Sequence, residues 1–74
     1  MNIEEFEATL RRFIRQEPFQ PFEVELLDGR RIEVRHPGVA LGGGGAAYLA
    51  GDEFIEFACR DVRAIHQVEP ETAS

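Results

Sequence analysis

The feature that most constrains this chain is an Asp28-Gly29 pair between two short segments of alternating hydrophobicity. Residues 22–27 and 30–35 each alternate apolar with charged side chains, a pattern typical of β-strands that bury one face. An Asp-Gly pair between such segments is a strong signal for a tight turn. The sequence therefore predicts a β-hairpin whose two strands share one apolar face.

The shared apolar face also decides the register of this hairpin. A two-residue turn would pair Val24 with Glu33 and put the two apolar sets on opposite faces, because directly opposed residues share a face. A three-residue loop over 27–29 pairs Val24 with Ile32 instead. It also brings Gly29 to the position where a G1 bulge needs a left-handed residue. We therefore predict a bulged hairpin.

An amphipathic helix is predicted to precede the hairpin, over residues 3–16. Its apolar positions recur at spacings of three and four, so they form one stripe. Asn2 is a suitable N-cap, and Glu5 stands where the acid of a capping box belongs. Pro18 disfavours helical geometry at the residue before it and ends the segment. The stripe consists of Ile3, Phe6, Leu10, Phe13 and Ile14.

The rest of the chain predicts three further short strands. Four consecutive glycines over 42–45 carry a high backbone entropy cost, so this stretch is predicted to be an irregular loop. The predicted segments are a strand at 39–41 with a weak continuation at 46–50, a turn at 51–52, a strand at 54–59, a helical turn at 60–62 and a strand at 63–69. We predict an α+β fold, mostly β, in which the N-terminal helix precedes a five-stranded, strongly bent antiparallel sheet or small barrel. Closure of the sheet would protect its edges.

Length and composition limit the architecture and the partners. Seventy-four residues suffice for one domain, predicted over 1–70 with a frayed tail at 71–74. So short a chain buries little surface, and self-association is a common remedy. Eight basic residues face fourteen acidic ones, for a net charge of −6, which disfavours a non-specific nucleic-acid binder.

The same composition bears on location. A single cysteine cannot form an internal disulfide, so the fold needs no oxidising compartment. The chain has no apolar run of membrane-spanning length and no signal-peptide pattern at its start. We expect a cytoplasmic protein with no membrane association.

Two resemblances to known families rest on local motifs. The strings PFQPF at 18–22, LDGR at 27–30 and VRHP at 34–37 resemble a group of small uncharacterised bacterial proteins. The order of helix, Asp-Gly hairpin, glycine-bearing middle, helical turn and last strand resembles the bacterial Sm-like proteins. That second resemblance implies an SH3-type small barrel, and a ring in which the fourth strand of one subunit pairs with the fifth strand of its neighbour.

The Sm-like resemblance also bears on RNA binding. A Lys-His pair that lines the RNA pore in that family corresponds here to Val62 and Arg63, and the family's Phe-Asp segment is missing from the glycine run. Only the rim arginines have counterparts. These candidate anion- or RNA-binding residues are Arg11, Arg12 and Arg15.

No catalytic or metal-binding motif stands out. His36 and His66 are far apart in the chain, and neither they nor Cys59 and Asp52 show the spacing of a metal site. Cys59 falls in an apolar strand, which disfavours a reactive thiolate. We expect no cofactor, no metal and no enzymatic activity, with a small metal protein or enzyme as the third alternative.

The six phenylalanines are the most informative functional feature. Most of them are needed for the core, and a surplus on an outer face would mark an interface. We expect a non-catalytic module that self-associates or binds a protein through strand edges. Its candidate interface residues are Phe54, Tyr48 and Leu49. The alternative is an Sm-like nucleic-acid binder that uses the arginine rim.

Overall fold

A computed structural model describes residues 1–68 of the chain, and it has an α+β fold made mostly of strands. One helix precedes six strands, and a 3-10 turn at Cys59–Asp61 joins the last two. The elements are α1 (Ile3–Ile14), β1 (Phe22–Leu26), β2 (Arg31–Val34), β3 (Val39–Gly42), β4 (Gly45–Ala50), β5 (Glu53–Ala58) and β6 (Val62–Gln67).

Within residues 1–68 the strands form two antiparallel sheets of three strands each, and these sheets do not close into a barrel. Sheet 1 has the order β2-β1-β6, and sheet 2 has the order β3-β4-β5. The mostly-β class is confirmed, whereas the prediction of one five-stranded sheet is not, because the strands number six and divide between two sheets. Among residues 1–68, no helix has the length and apolar character needed to cross a membrane.

The N-terminal helix begins as its sequence predicts. The Asn2 Oδ1 accepts the backbone N–H of Glu5 at 2.8 Å, which satisfies one of the free donors at the helix start. Phe6 and Leu10 are fully buried, whereas Ile3, at the end of the predicted stripe, is 53% exposed. The helix ends at Ile14, two residues before the predicted boundary at 16.

The bulged hairpin is confirmed. Val24 lies opposite Ile32, and the backbone N–H of Leu26 donates to the carbonyl of Arg30 at 2.8 Å. Gly29 has a φ of 93°, the left-handed conformation that the bulge requires. The inner face of this hairpin is therefore wholly apolar, and it is formed by Phe22, Val24, Ile32 and Val34.

The four glycines overturn the prediction of an irregular loop at 42–45. Gly42 ends β3 and Gly45 begins β4, so only Gly43 and Gly44 form the turn. Their φ angles of 59° and 82° are both positive, as a two-residue turn of type I′ demands. The run is thus a tight hairpin, and the predicted weak continuation at 46–50 becomes a strand of its own.

The remaining turns follow the predictions closely. Gly51, with a φ of 63°, and Asp52 connect β4 to β5. The predicted helical turn at 60–62 is the 3-10 turn, one residue earlier. The predicted strand at 63–69 is observed as β6. Residue 69, the predicted domain end at 70 and the tail at 71–74 lie outside the described residues.

One apolar core lies between the two sheets and beneath α1. It draws on the helix and on strands of both sheets, and the rings of Phe6 and Phe57 meet edge to face with centroids 6.1 Å apart. Full burial of such a side chain contributes about 1.5–3 kcal/mol. The buried residues are Phe6, Leu10, Phe22, Val24, Leu26, Ile32, Val34, Ala46, Tyr48, Phe57 and Val62.

The glycine turn is also the point where sheet 2 meets the helix, and this yields a prediction. A Cβ on Gly44 would lie 3.0 Å from the Ile3 Cγ1, on a residue whose φ is positive. Gly44→Ala is expected to lower the free energy of unfolding by about 1–2 kcal/mol. Gly42→Ala, where a Cβ meets nothing within 4 Å, is the control and should stay within about 0.5 kcal/mol of the native chain. Urea denaturation measures the free energy of unfolding of both variants. Equal decreases in this free energy would contradict the conclusion that Gly44 is constrained by its positive φ and by its contact with Ile3.

Candidate functional site

The outer surface of sheet 2 carries an exposed apolar face. Leu49 and Phe54 lie directly opposite one another on β4 and β5, and they are 51% and 64% exposed. Ala40 and Ala47 are paired across β3 and β4 on the same side of the sheet. We call these four residues the outer apolar face. Large apolar side chains that adjoin one another at the surface mark an interaction site more often than isolated ones do.

An open groove of ≈ 480 Å³ adjoins this face. Small residues of β3 and β4 line most of it, among them Ala40, Gly42 and Ala47. Its charged side chains are the carboxylates of Glu56 and Asp61. The groove therefore offers an apolar surface with an acidic border, which is suited to an apolar segment that carries positive charge.

Tyr48 does not share this face with Leu49 and Phe54. Its side chain is 2% exposed, and its hydroxyl oxygen accepts the backbone N–H of Arg35 at 3.0 Å. Successive residues of a strand point to opposite sides, so Tyr48 faces the core while Leu49 faces outward. The prediction that grouped Tyr48 with the two exposed residues is therefore corrected to Leu49 and Phe54.

The free edge strands β5 and β6 differ in the charges of their side chains. Each sheet has three strands, so β5 and β6 each have one unpaired edge among the described residues. Strand β5 carries Glu53 and Glu56, whereas β6 carries Arg63 and His66, with Asp61 of the 3-10 turn directly before it. An unpaired edge presents free N–H and C=O groups that can hydrogen-bond to another strand.

The candidate rim arginines lie in the last turn and at the C-cap of α1, and all three are exposed. Arg11 Nη2 is 3.9 Å from Glu7 Oε1, and the guanidinium of Arg12 stands 5.7 Å from the centre of the Phe13 ring. Arg15 is the C-cap residue. These positive charges lie at the negative end of the helix dipole, which stabilises them there.

The histidines and the cysteine that the sequence singles out are separated in the structure. The His36 Nδ1 accepts the backbone N–H of Gly38 at 3.1 Å, and Nε2 lies 3.0 Å from the carbonyl oxygen of Leu49. Both ring nitrogens of His36 therefore have partners within the fold. Cys59 is half-buried at the start of the 3-10 turn.

A different group of side chains comes together on the outer surface of sheet 1. Glu23, Glu25 and His66 bring one ligand atom each within 4.8 Å of the others. Within residues 1–68 no other group of three His, Cys, Asp or Glu side chains is so arranged. The sequence predictions did not include this group. The available signal was the spacing of the two glutamates, which puts both on one face of β1, but the pairing of β1 with β6 is needed to add His66.

Comparisons of the chain with protein-family models, with curated proteins and with solved structures find no match. The resemblances to Sm-like proteins and to the small bacterial proteins therefore stay predictions.

Asp28, in the first hairpin turn, accepts two hydrogen bonds from Arg30. The backbone N–H of Arg30 donates to Asp28 Oδ1 at 3.0 Å, and the Arg30 Nε donates to Oδ2 at 2.8 Å. These bonds to the ionised form hold the pKa of Asp28 below its ordinary value of 3.8. A carboxyl group whose pKa is lower in the folded chain stabilises the fold above the ordinary pKa, and this contribution is lost as the pH falls through the lowered value.

This linkage predicts a pH-dependent effect of Asp28→Asn. The variant should unfold at lower urea than the native chain at neutral pH, because it lacks the charge that Arg30 stabilises. The difference should shrink as the pH falls below 3.8, where Asp28 of the native chain also becomes neutral. Urea midpoints measured across the acid range test this, with Asp52→Asn in the second turn as the control. A difference that does not change with pH would contradict the assignment.

Proposed function

We propose that the chain is a non-catalytic module that self-associates, with the free edge of β5 in one copy paired to the free edge of β6 in the next. The observation that carries the proposal is the exposed Leu49–Phe54 pair beside the unpaired edge of β5. Addition of a strand at that edge would supply main-chain hydrogen bonds. It would also cover part of the outer apolar face.

The free energy gained when apolar surface is buried favours a second copy of the chain as the partner that covers the outer apolar face. A chain of 74 residues buries a smaller share of its surface when it folds alone than a larger domain does. Removal of the Phe54 side chain from water would contribute up to about 1.5–3 kcal/mol per interface. Association through this face adds the apolar burial that so small a core lacks.

The charges of the two edges favour a head-to-tail arrangement. Glu56 lies on the same outer side of β5 as Phe54. Arg63 lies on the outer side of sheet 1, where its Nε is 3.7 Å from Glu25 Oε1. Pairing of β5 with another β5 would set like charges together, which destabilises a sheet. Pairing of β5 with β6 sets Glu56 against positive charge, which offsets part of the repulsion between chains of net charge −6. The Sm-like resemblance implies the same pairing, because the predicted fourth and fifth strands, at 54–59 and 63–69, are β5 and β6 of the structure.

Self-association is tested by sedimentation velocity over micromolar to millimolar concentrations of chain. The native protein is expected to form an oligomer, and Phe54→Ser should shift the oligomer towards monomer by about tenfold or more in concentration, as the loss of a buried aromatic side chain does. Leu27→Ser is the matched control, because Leu27 is 65% exposed but lies in the turn between β1 and β2. A native chain that stays monomeric throughout, or equal effects of both variants, would overturn the proposal.

A charge exchange tests the head-to-tail pairing itself. Glu56→Arg and Arg63→Glu should each weaken association, and the two substitutions in one chain should restore it, because the opposite charges then meet again across the interface. Glu33→Arg on β2 is the control for the change in net charge. If the double variant does not regain the association of the native chain, β5–β6 pairing is excluded. Self-association would then have to use another surface.

Nucleic-acid binding through the arginine rim is the second candidate function. Arg11, Arg12 and Arg15 are all exposed, and their spacing keeps them within about 100° of the helix circumference. A phosphate backbone that runs along the last turn of α1 could contact all three. The net charge of −6 opposes this function and requires that binding depend on these few residues.

The rim predicts RNA binding that weakens with salt. Fluorescence anisotropy with a short single-stranded RNA should show binding at low salt, and the double variant Arg11→Ala, Arg12→Ala should abolish it. Arg35→Ala, with a side chain that is 73% exposed on another part of the surface, is the control. Absence of binding by the native chain at low salt would end this candidate.

A further inference from the structure

The cluster of Glu23, Glu25 and His66 combines two carboxylates with an imidazole at short range. The His66 Nε2 is 3.3 Å from Glu23 Oε1 and 3.6 Å from Glu25 Oε2. Both glutamate side chains are three-quarters buried or more, and the His66 side chain is half-exposed. The three groups therefore meet at the surface with a face open to solvent.

The strand pairing of sheet 1 holds this cluster in place. Glu23 and Glu25 are two residues apart on β1, so their side chains leave the same face of the strand. Glu23 lies directly opposite His66 on β6, and Glu25 lies opposite Ala64, whose small side chain leaves space beside it. All three backbones belong to hydrogen-bonded strands. The ligand atoms thus need only side-chain rotations to converge.

The distances suit ligands around a common ion better than a proton shared between partners. A charge-assisted hydrogen bond between nitrogen and a carboxylate is about 2.7–2.9 Å long, shorter than either contact here. Two ligands that each lie about 2.1 Å from a tetrahedral ion are about 3.4 Å apart. The observed separations of 3.3 and 3.6 Å fall on either side of that value.

The second nitrogen of the imidazole has a backbone carbonyl nearby. The His66 Nδ1 lies 3.5 Å from the carbonyl oxygen of Gln67, which is longer than a hydrogen bond. A metal-bound histidine commonly donates its other ring N–H to a backbone carbonyl, and a small approach of these two atoms would complete that bond when an ion is held at Nε2.

We propose that Glu23, Glu25 and His66 bind a first-row divalent transition-metal ion, for which Zn²⁺ is the representative probe. An imidazole with two carboxylates suits ions of this class, whereas Mg²⁺ and Ca²⁺ prefer sets of oxygen ligands. Three protein ligands leave at least one coordination position for water or for a group from another molecule. The site lies on β1 and β6, next to the free edge of β6 that the proposed association uses, but its three ligands all come from one chain.

Two arginines compete with the ion for the same carboxylates. Arg31 Nε is 3.9 Å from Glu23 Oε1, and Arg63 Nε is 3.7 Å from Glu25 Oε1. Their side chains are 66% and 68% exposed, and such contacts in water are weak. The arginines balance the carboxylates when no ion is bound, and they can swing into solvent when one binds. Their removal should therefore strengthen metal binding.

The test is a titration of the tag-free full chain with Zn²⁺ and with Co²⁺, at a concentration where the chain is monomeric. We expect one ion per chain by calorimetry, visible absorption bands from bound Co²⁺, and a shift of the His66 Nε2 signal in ¹⁵N NMR spectra. His66→Asn and Glu25→Gln should each weaken binding by about tenfold or more. His36→Asn and Glu53→Gln, both away from the outer surface of sheet 1, are the matched controls and should bind as the native chain does.

The double variant Arg31→Gln, Arg63→Gln supplies the second measurement, since it removes competitors without touching a ligand. It should bind Zn²⁺ about tenfold or more tightly than the native chain, as expected when two charges of the same sign are removed from beside a cation. Absence of Zn²⁺ and Co²⁺ binding would overturn the proposal. So would binding that survives His66→Asn but is lost in Cys59→Ser, or a His66 signal that responds to pH and not to metal.

Discussion

The cross-strand contact of Val24 with Ile32 is the constraint on which the rest of the structure depends. These side chains share the inner face of sheet 1 because Gly29 adopts a φ of 93° and adds one residue to the turn. A slip of one position would turn the apolar side chains of one strand towards solvent. With the register set in this way, the hairpin presents a continuous apolar surface on which the helix and the second sheet can pack.

Polar contacts at its ends supplement the apolar packing of the second sheet on that core. At one end, the Gly44 N–H donates to the Glu7 side chain of the helix at 3.1 Å. At the other end, the Tyr48 hydroxyl accepts the N–H of Arg35 from sheet 1. These contacts satisfy backbone groups that the change from one sheet to the other would leave unpaired.

The two sheets present chemically different outer surfaces. The outer surface of sheet 1 carries Glu23, Glu25 and His66 with arginines beside them, whereas that of sheet 2 carries Leu49 and Phe54. Hydrophobic burial would drive association at sheet 2, and two carboxylates and an imidazole would hold an ion at sheet 1. The two proposals meet at β6, which carries His66 and whose free edge is proposed to pair with β5 of another copy.

Local signals in the amino-acid sequence specify the helix and the first hairpin. Asn2 and the apolar spacing define the helix, and the alternation around Asp28-Gly29 defines the first hairpin with its bulge, because capping, side-chain parity and turn geometry act over a few neighbouring residues. The glycine run was not decided locally, since glycine is compatible with both an irregular loop and a tight turn. The structure places Gly43 and Gly44 at positive φ between paired strands.

Local signals do not specify the division into two sheets, the burial of Tyr48 or the meeting of His66 with Glu23 and Glu25. Each of these depends on which strands pair and on which side of a sheet faces the core. Parity along a strand limits that choice to two faces, but packing between segments distant in the chain selects one of them. The candidate surfaces are therefore properties of the assembled sheets rather than of any one segment.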